Sequence, residues 1–421
     1  MLFISFILLS ISCLPRPYSH GLFPTNLLSR CSSTDTQCEY SNIEDKTQLT
    51  IQEVAKNAFD STNREWENIQ TYEPNTSKEI DKITSLLLVR LFNMVSSDSV
   101  QSTSNLCQEI LDQKISAWPS AMTNEMILSL RKYVTQILEL HQNVYYHNHN
   151  HAFHVVNNAN KLLDMIVLHS HDGSIQIKSD STFIFLFSSL IHDVGHTGLT
   201  NAQISIEKHP YNDLYDSHNQ LERHSLDLAF NVLERAEFKP VRQHLFGIEG
   251  TKSYSLKSQT FQEAVTTIIL RTDISDVARK KERLDMVNQL YLNKTIHSSA
   301  VSPILLLEQL MLIADVGGAI QGWTNYLESS NNLYFEWKFA YESGRLAFDP
   351  ESNWVEAQSG FLQNYCLEQL PQLNLYGYPT IATMLEKSTK KILKTWETKG
   401  EMEAKKVKSM WQEEKLKKKN F

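Results

Sequence analysis

The sequence predicts an all-α protein, a single large helical domain with internal loops. Apolar residues recur at helical spacing from Ile80 onward, no convincing run of alternating strand pattern is present, and the chain-breaking residues are sparse, with 13 Gly and 11 Pro among 421 residues. A hydrophobic fraction of 41% at this length is enough to bury a real core.

The chain opens with an apolar run, LFISFILLSISCL, from Leu2 to Leu14. It is shorter than the ~20 residues that cross a bilayer and better suits the core of a signal peptide. No Lys or Arg precedes it, although Ser19 and Gly21 fit the small residues of a cleavage site. Residues 1–21 therefore read as a signal-like or anchor segment through which the chain could meet a membrane, and the localisation stays open. Residues 22–79 are polar and read as a linker with some helix. Sequons at Asn75 and Asn293 matter only if the chain enters the secretory pathway. Five cysteines make no disulfide framework; Cys31 and Cys38 could close a short loop in an oxidising compartment, but free thiols are the plainer expectation.

Residues 80–398 read as one large helical domain. Ile83, Leu86, Leu87, Val89, Leu91 and Phe92 mark one apolar face, and Met126, Leu128, Leu130, Val134, Ile137 and Leu138 another. Residues 399–421 form a mixed-charge, helix-like tail that reads as a solvated helix face. A formal net charge of -8 excludes a nucleic-acid polymer as partner, since a polyanion calls for a basic surface. A small charged substrate held by metal is compatible with it.

Three segments carry chemistry. The stretch YHNHNHAFHV, from Tyr146 to Val155, would place His147 and His151 four apart on one helical face, with His149 and His154 as passengers. In FSSLIHDVGHTG an apolar helix delivers His192 and Asp193, with His196 one turn later; such N and O ligands suit zinc, iron, manganese or magnesium. In LLLEQLMLIADVGG, Asp315 ends a predominantly apolar run, where a carboxylate needs a cation, a hydrogen-bond network or a proton.

In this order, YHNxxHA, IHDVxHxG and the AD element resemble the class I cyclic-nucleotide phosphodiesterase catalytic domain, over roughly residues 110–398. The resemblance implies an HD-type helical fold whose deep pocket holds two divalent metal ions, zinc at the tight site and magnesium or manganese at the second. It also implies hydrolysis of cAMP, cGMP or both to the nucleoside 5'-monophosphate, which ends a cyclic-nucleotide signal. Carried over by residue, it makes His151, His192, Asp193 and Asp315 metal ligands, with Asp193 bridging to the second ion, and His147 the proton donor. His196 and Glu222 match positions that steady water on the metals. Thr272 and Asp273 in ILRTDIS match an element near the pocket, with a turn or helix cap as the plain alternative. Gln358 and Phe361 in AQSGFLQNY resemble the residues that hydrogen-bond and stack on the purine. Base preference stays open, because an amide can present either end.

The chain departs from the pattern at Gly195 and His154, where Asp is common, at Arg223, where Asn is common, and at Gly317 and Gly318, where polar residues are usual. Two other readings compete: an HD-type phosphohydrolase of other nucleotides, and a catalytically weak sensor that binds a cyclic nucleotide on the same fold.

Overall fold

The computed structural model describes residues 51–62, 76–96, 100–103, 105, 107, 123–170, 174–215, 218–292 and 303–419. The apolar segment 1–21, Cys31, Cys38 and both sequon asparagines lie outside the described residues. Among those described, every regular element is helical, as the periodicity predicts, and Cys107 and Cys366 are buried free thiols. No described helix is long and apolar enough to cross a membrane.

The chain enters through α1 (Ile51–Thr62) and α2 (Thr76–Ser96), which pack on each other. Val54, Ala55 and Ala58 of α1 are fully buried, so the core begins inside the stretch that reads as a linker. One short apolar stripe in a polar segment is enough to fasten a helix. α3 (Asn124–Glu139) starts where the Thr123 side chain accepts the Met126 N–H. It is followed by α4 (His149–Leu168), α5 (Ser179–Ile191), α6 (Asn201–Ile206), α7 (Gln220–Leu233), α8 (Lys239–Phe246), α9 (Lys252–Ile269), α10 (Val277–Leu292) and α11 (Ile304–Asp315).

Helices α5 and α11 are apolar nearly all round, and such helices belong in the interior. Phe183, Phe185, Leu186, Phe187 and Leu190 of α5 and Leu306, Leu310, Met311 and Ile313 of α11 are accordingly buried, with α2, α4 and α9 packed around α5. A buried Arg90 ties α2 to α4: its guanidinium donates to Asn160 Oδ1 at 3.0 and 2.8 Å and to Asp164 Oδ1 at 2.9 Å. The Thr103 N–H and hydroxyl complete the Asp164 shell. A charge survives there because it is paired and hydrogen-bonded.

A second apolar cluster joins α12 (Trp323–Glu342), α13 (Trp354–Phe361) and α14 (Pro379–Lys419). The charged tail expected after residue 398 is the second half of α14 and is not merely a solvated face. Val407 and Trp411, four apart, share one buried side. The Trp411 ring lies 5.6 Å from Tyr145 and 5.4 Å from Phe335, and its N–H reaches Glu342 Oε1 at 3.1 Å. Lys415, one turn further on the same side, lies over the Trp411 ring and donates to Glu342 Oε1 at 2.9 Å.

Candidate metal centre

Asn148 decides where α4 begins. Its side-chain oxygen accepts the N–H groups of Asn150 and His151, while its amide donates to Val144 and Tyr145 carbonyls. His147 therefore stands just outside the helix rather than on a shared helical face with His151, as the i,i+4 spacing predicts. The two rings still converge, with centroids 5.8 Å apart.

His192 closes α5. Its Nδ1–H donates to the Ser189 carbonyl at 3.0 Å, which leaves Nε2 facing inward, buried and without a hydrogen-bond partner. A metal-binding imidazole is held in this way, with one nitrogen anchored to a carbonyl and the other free to ligate. Asp193 follows in the turn, and Asp315 arrives as the last residue of α11.

The four groups meet. His151 Nε2 lies 3.0 Å from Asp315 Oδ1 and 3.4 Å from Asp193 Oδ2; His192 Nε2 lies 3.2 Å from Asp193 Oδ2 and 3.5 Å from Asp315 Oδ1. All four donor atoms fall within 4.8 Å of one another. Tetrahedral zinc with bonds of about 2.0–2.1 Å separates its ligand atoms by about 3.3 Å, so the cluster has the dimensions of a metal site. Electrostatics agree: burial would depress the His192 imidazolium, but Asp193 and Asp315 outweigh it and raise that group well above its ordinary value. Asp315, despite a burial that opposes ionisation, is drawn down by His151 and His192. The carboxylates make this a place for a cation.

Beside the cluster stands a residue that the sequence reading missed. Glu336 of α12 is 4% exposed at its side chain, and its Oε1 lies 2.5 Å from His147 Nδ1. Its Oε2 accepts the N–H groups of Tyr146 and His147 at 2.8 and 3.0 Å. Burial works against the His147 imidazolium, but the charge and hydrogen bond of Glu336 overcome it and hold the group at about 9. Glu336 is itself taken down to about 2, burial again opposing and His147 prevailing. The signal lay in LYFEWKF, an acid between aromatic residues of one helix, which invites the argument made for Asp315. His196 stacks on His147 with centroids 3.9 Å apart, and burial, then His147, lower it to about 4. Its Nδ1 accepts the Gly198 N–H at 3.1 Å.

Glu222, near the start of α7, shares Asn201 with Asp273: the Asn201 amide donates to Glu222 at 2.9 Å and to Asp273 at 3.0 Å. Burial, then Asp273, push Glu222 up to about 8. Asp273 also accepts from Asn219 and from the Ser275 N–H and hydroxyl. Thr272 donates to the Ile269 carbonyl at 2.8 Å, a helix-end contact that matches the plain alternative.

On α13, Gln358 is buried and accepts the Tyr326 hydroxyl at 3.0 Å. The helix continues as a π-turn, Leu362–Cys366, and this places the Tyr365 ring parallel to Phe361 at 5.6 Å. Burial, and after it the charge of Asp315, raise the Tyr365 phenol above its ordinary value.

The departures at glycine are steric. Gly195 has φ +77°, and a Cβ on it would lie 2.6 Å from Leu228 Cδ1 and 3.1 Å from the His224 ring. A Cβ on Gly317 would meet Asn158 Nδ2 at 2.1 Å, and one on Gly318 would meet Ser329 Oγ at 2.2 Å. That closeness lets Asn158 of α4 donate to the Ala314 carbonyl, next to Asp315, at 2.9 Å. Burial lowers His154 to about 4 and leaves the Arg223 Nε without a partner.

A family model for 3'5'-cyclic nucleotide phosphodiesterase matches residues 146–388, the span that holds every residue of the site. Curated relatives include Plasmodium proteins. A cGMP-specific 3',5'-cyclic phosphodiesterase gamma of Plasmodium yoelii is 25% identical over 268 residues, covering 61% of this chain and 32% of that protein. A cGMP-specific 3',5'-cyclic phosphodiesterase delta of Plasmodium falciparum is 26% identical over 145 residues, covering 33% and 17%. The chain thus spans about a third or less of the length of these relatives. Two crystal structures of the phosphodiesterase domain of a rhodopsin phosphodiesterase from the choanoflagellate Salpingoeca rosetta share the fold. Their TM-scores are 0.59 and 0.58 at 17% and 16% identity; the matches cover 82% and 87% of this chain and 96% and 99% of those chains. The matched span, more than half of the sequence, carries the motifs and the His–Asp cluster together: the chain belongs to the 3'5'-cyclic nucleotide phosphodiesterase family.

Proposed function

We propose that this chain hydrolyses 3',5'-cyclic purine nucleotides to nucleoside 5'-monophosphates, with His151, His192, Asp193 and Asp315 holding a zinc ion and Asp193 extending to a second ion, magnesium or manganese. The observation that carries the reading is the inward Nε2 of His192, which is anchored through Nδ1 and converges with His151, Asp193 and Asp315 into one four-donor cluster. Metal bound there supplies an activated water and Lewis-acid charge neutralisation at phosphorus.

The chain's own groups do the rest. Glu336 occupies His147 Nδ1, so the Nε2–H remains to face substrate. As the P–O3' bond breaks, that proton passes to O3', and Glu336 keeps the ring charged and oriented until then. His196, stacked on His147, and the Asn201–Glu222 pair offer polar groups that would steady water at the metals. Phe361, backed by Tyr365, offers a flat face to the purine. With Gln358 Oε1 accepting from Tyr326, the amide N–H groups are left for an acceptor such as guanine O6 or adenine N1. Relatives described as cGMP-specific put cGMP first.

The test is side-by-side hydrolysis of cAMP and cGMP, with and without chelator and with zinc, magnesium or manganese restored. Metal-dependent formation of 5'-GMP in preference to 5'-AMP is the expected result. A folded, metal-loaded protein that binds nucleotide without turning it over would overturn the reading and favour a sensor.

A further inference from the structure

We propose that His147, His196 and Glu336 form an additional binding site for zinc and similar borderline cations, whose occupation stops the reaction. Its inhibitory consequence rests on the function proposed above, whereas the binding does not. Each of the three residues offers a ligand atom, and these atoms lie within 4.8 Å of one another in a cluster that shares no residue with the His–Asp centre. They come from three places: the segment before α4, the turn after α5, and the middle of α12.

Two imidazoles and one carboxylate, with the fourth position left to water, are a recognised zinc donor set. Magnesium prefers oxygen ligands and retains its waters, so it is poorly served here. The backbone N–H groups of Tyr146 and His147 hold Glu336 Oε2, so the carboxylate is oriented before any cation arrives. Zinc would replace the proton shared by His147 Nδ1 and Glu336 Oε1, releasing it to solvent, and would take the His196 lone pair that now accepts from Gly198. A metal at Nδ1 leaves the Nε2–H on the ring but turns the imidazolium into a metal-bound neutral imidazole, a far weaker acid, so the proton proposed to pass to O3' is no longer readily given up.

The test compares wild type with Glu336→Gln and His196→Ala after equilibrium dialysis against zinc in excess magnesium, reading zinc per chain by elemental analysis and turnover on the same samples. Wild type should hold one zinc more than either variant, and its turnover should fall in step with that uptake. Equal zinc in all three proteins, or the same zinc inhibition in the variants, would overturn the proposal. Should the variants lose the zinc of the His–Asp centre through misfolding, cobalt titration of wild type decides. A further equivalent with the visible absorption of four-coordinate cobalt supports the site, and a titration that ends at the His–Asp centre refutes it. Extra zinc in a protein that never turns over cyclic nucleotide would leave this site standing and count against the proposed function instead.

Discussion

Gly195→Ala isolates a steric demand beside the proposed metal ligands. The glycine has φ +77°, and a methyl there would sit 2.6 Å from Leu228 Cδ1, well inside the ~3.5–4.0 Å at which carbons rest. The left-handed backbone costs a non-glycine residue about 1–2 kcal/mol. Forcing a methyl into a filled space adds about 1–3 kcal/mol. Gly344 supplies the control, with φ +72° and nothing within 4 Å of its Cβ position, so Gly344→Ala meets the backbone cost alone. For a helical body of roughly 300 residues the unfolding entropy near the midpoint is about 0.6 kcal/mol/K. Gly195→Ala should then lower the melting temperature by about 3–8 °C, and Gly344→Ala by about 2–3 °C. Calorimetry in chelator, which removes any metal contribution, measures both. Adding Leu228→Ala should return most of the difference at position 195. The steric argument fails if the two alanine variants melt together or if Leu228→Ala brings no recovery. By the same reasoning Gly195→Asp places a carboxylate against Leu228 and His224, and it should lower stability without raising the hydrolysis rate.

Asp193→Ala should abolish turnover and lower bound metal while leaving the helical spectrum intact; normal activity in that folded variant would remove Asp193 from the ligand set. Glu336→Gln takes away the charge that holds the His147 imidazolium up at about 9, so the basic limb of the rate profile, lost as pH rises through that value, should move to lower pH. The loss of a charge-assisted bond of about 1.5–3 kcal/mol implies a kcat lower by about 10- to 100-fold, and an unmoved limb refutes the role. Tyr326→Phe frees the Gln358 amide and should alter the ratio of kcat/KM for cGMP over cAMP with little change in stability; an unchanged ratio would detach Tyr326 from base selection. Trp411→Ala should destabilise by about 3–5 kcal/mol, seen as an earlier urea midpoint, because it empties the space between Tyr145 and Phe335.

Much of the fold and the core of the candidate site were legible in the sequence because they rest on local patterns. Apolar periodicity marked α2 and α3, continuous apolar runs marked α5 and α11, and the His192–Asp193 pair and Asp315 announced themselves as polar ends of those runs. What local pattern could not show was pairing across the chain. Glu336 meets His147 across 189 residues, and nothing in its own helix names that partner. The spacing of His147 and His151 suggested a common helix, but the Asn148 side chain starts α4 after His147. The tail looked solvated because its lysines outnumber Val407 and Trp411, although two large residues on one side suffice to dock a helix. Gly195, Gly317 and Gly318 read as losses of polar function, whereas each sits where a neighbouring side chain leaves no room.

The His–Asp cluster draws His151 and Asp315 together from positions 164 residues apart. An unfolded chain holds no such arrangement, so a cation that binds there recognises the assembled domain and not any fragment of it. Its binding free energy accrues to the native state as a whole, about 2.7 kcal/mol at a free concentration one hundred times the Kd. The ion then acts as a staple between the first turn of α4 and the last residue of α11. Closing that long loop is entropically slow, and it is also the step a metal rewards. Catalytic competence and global stability would therefore rise and fall together with metal supply, and a chain starved of metal would present itself to proteases as a weaker fold before it presented itself to substrate as a slower enzyme.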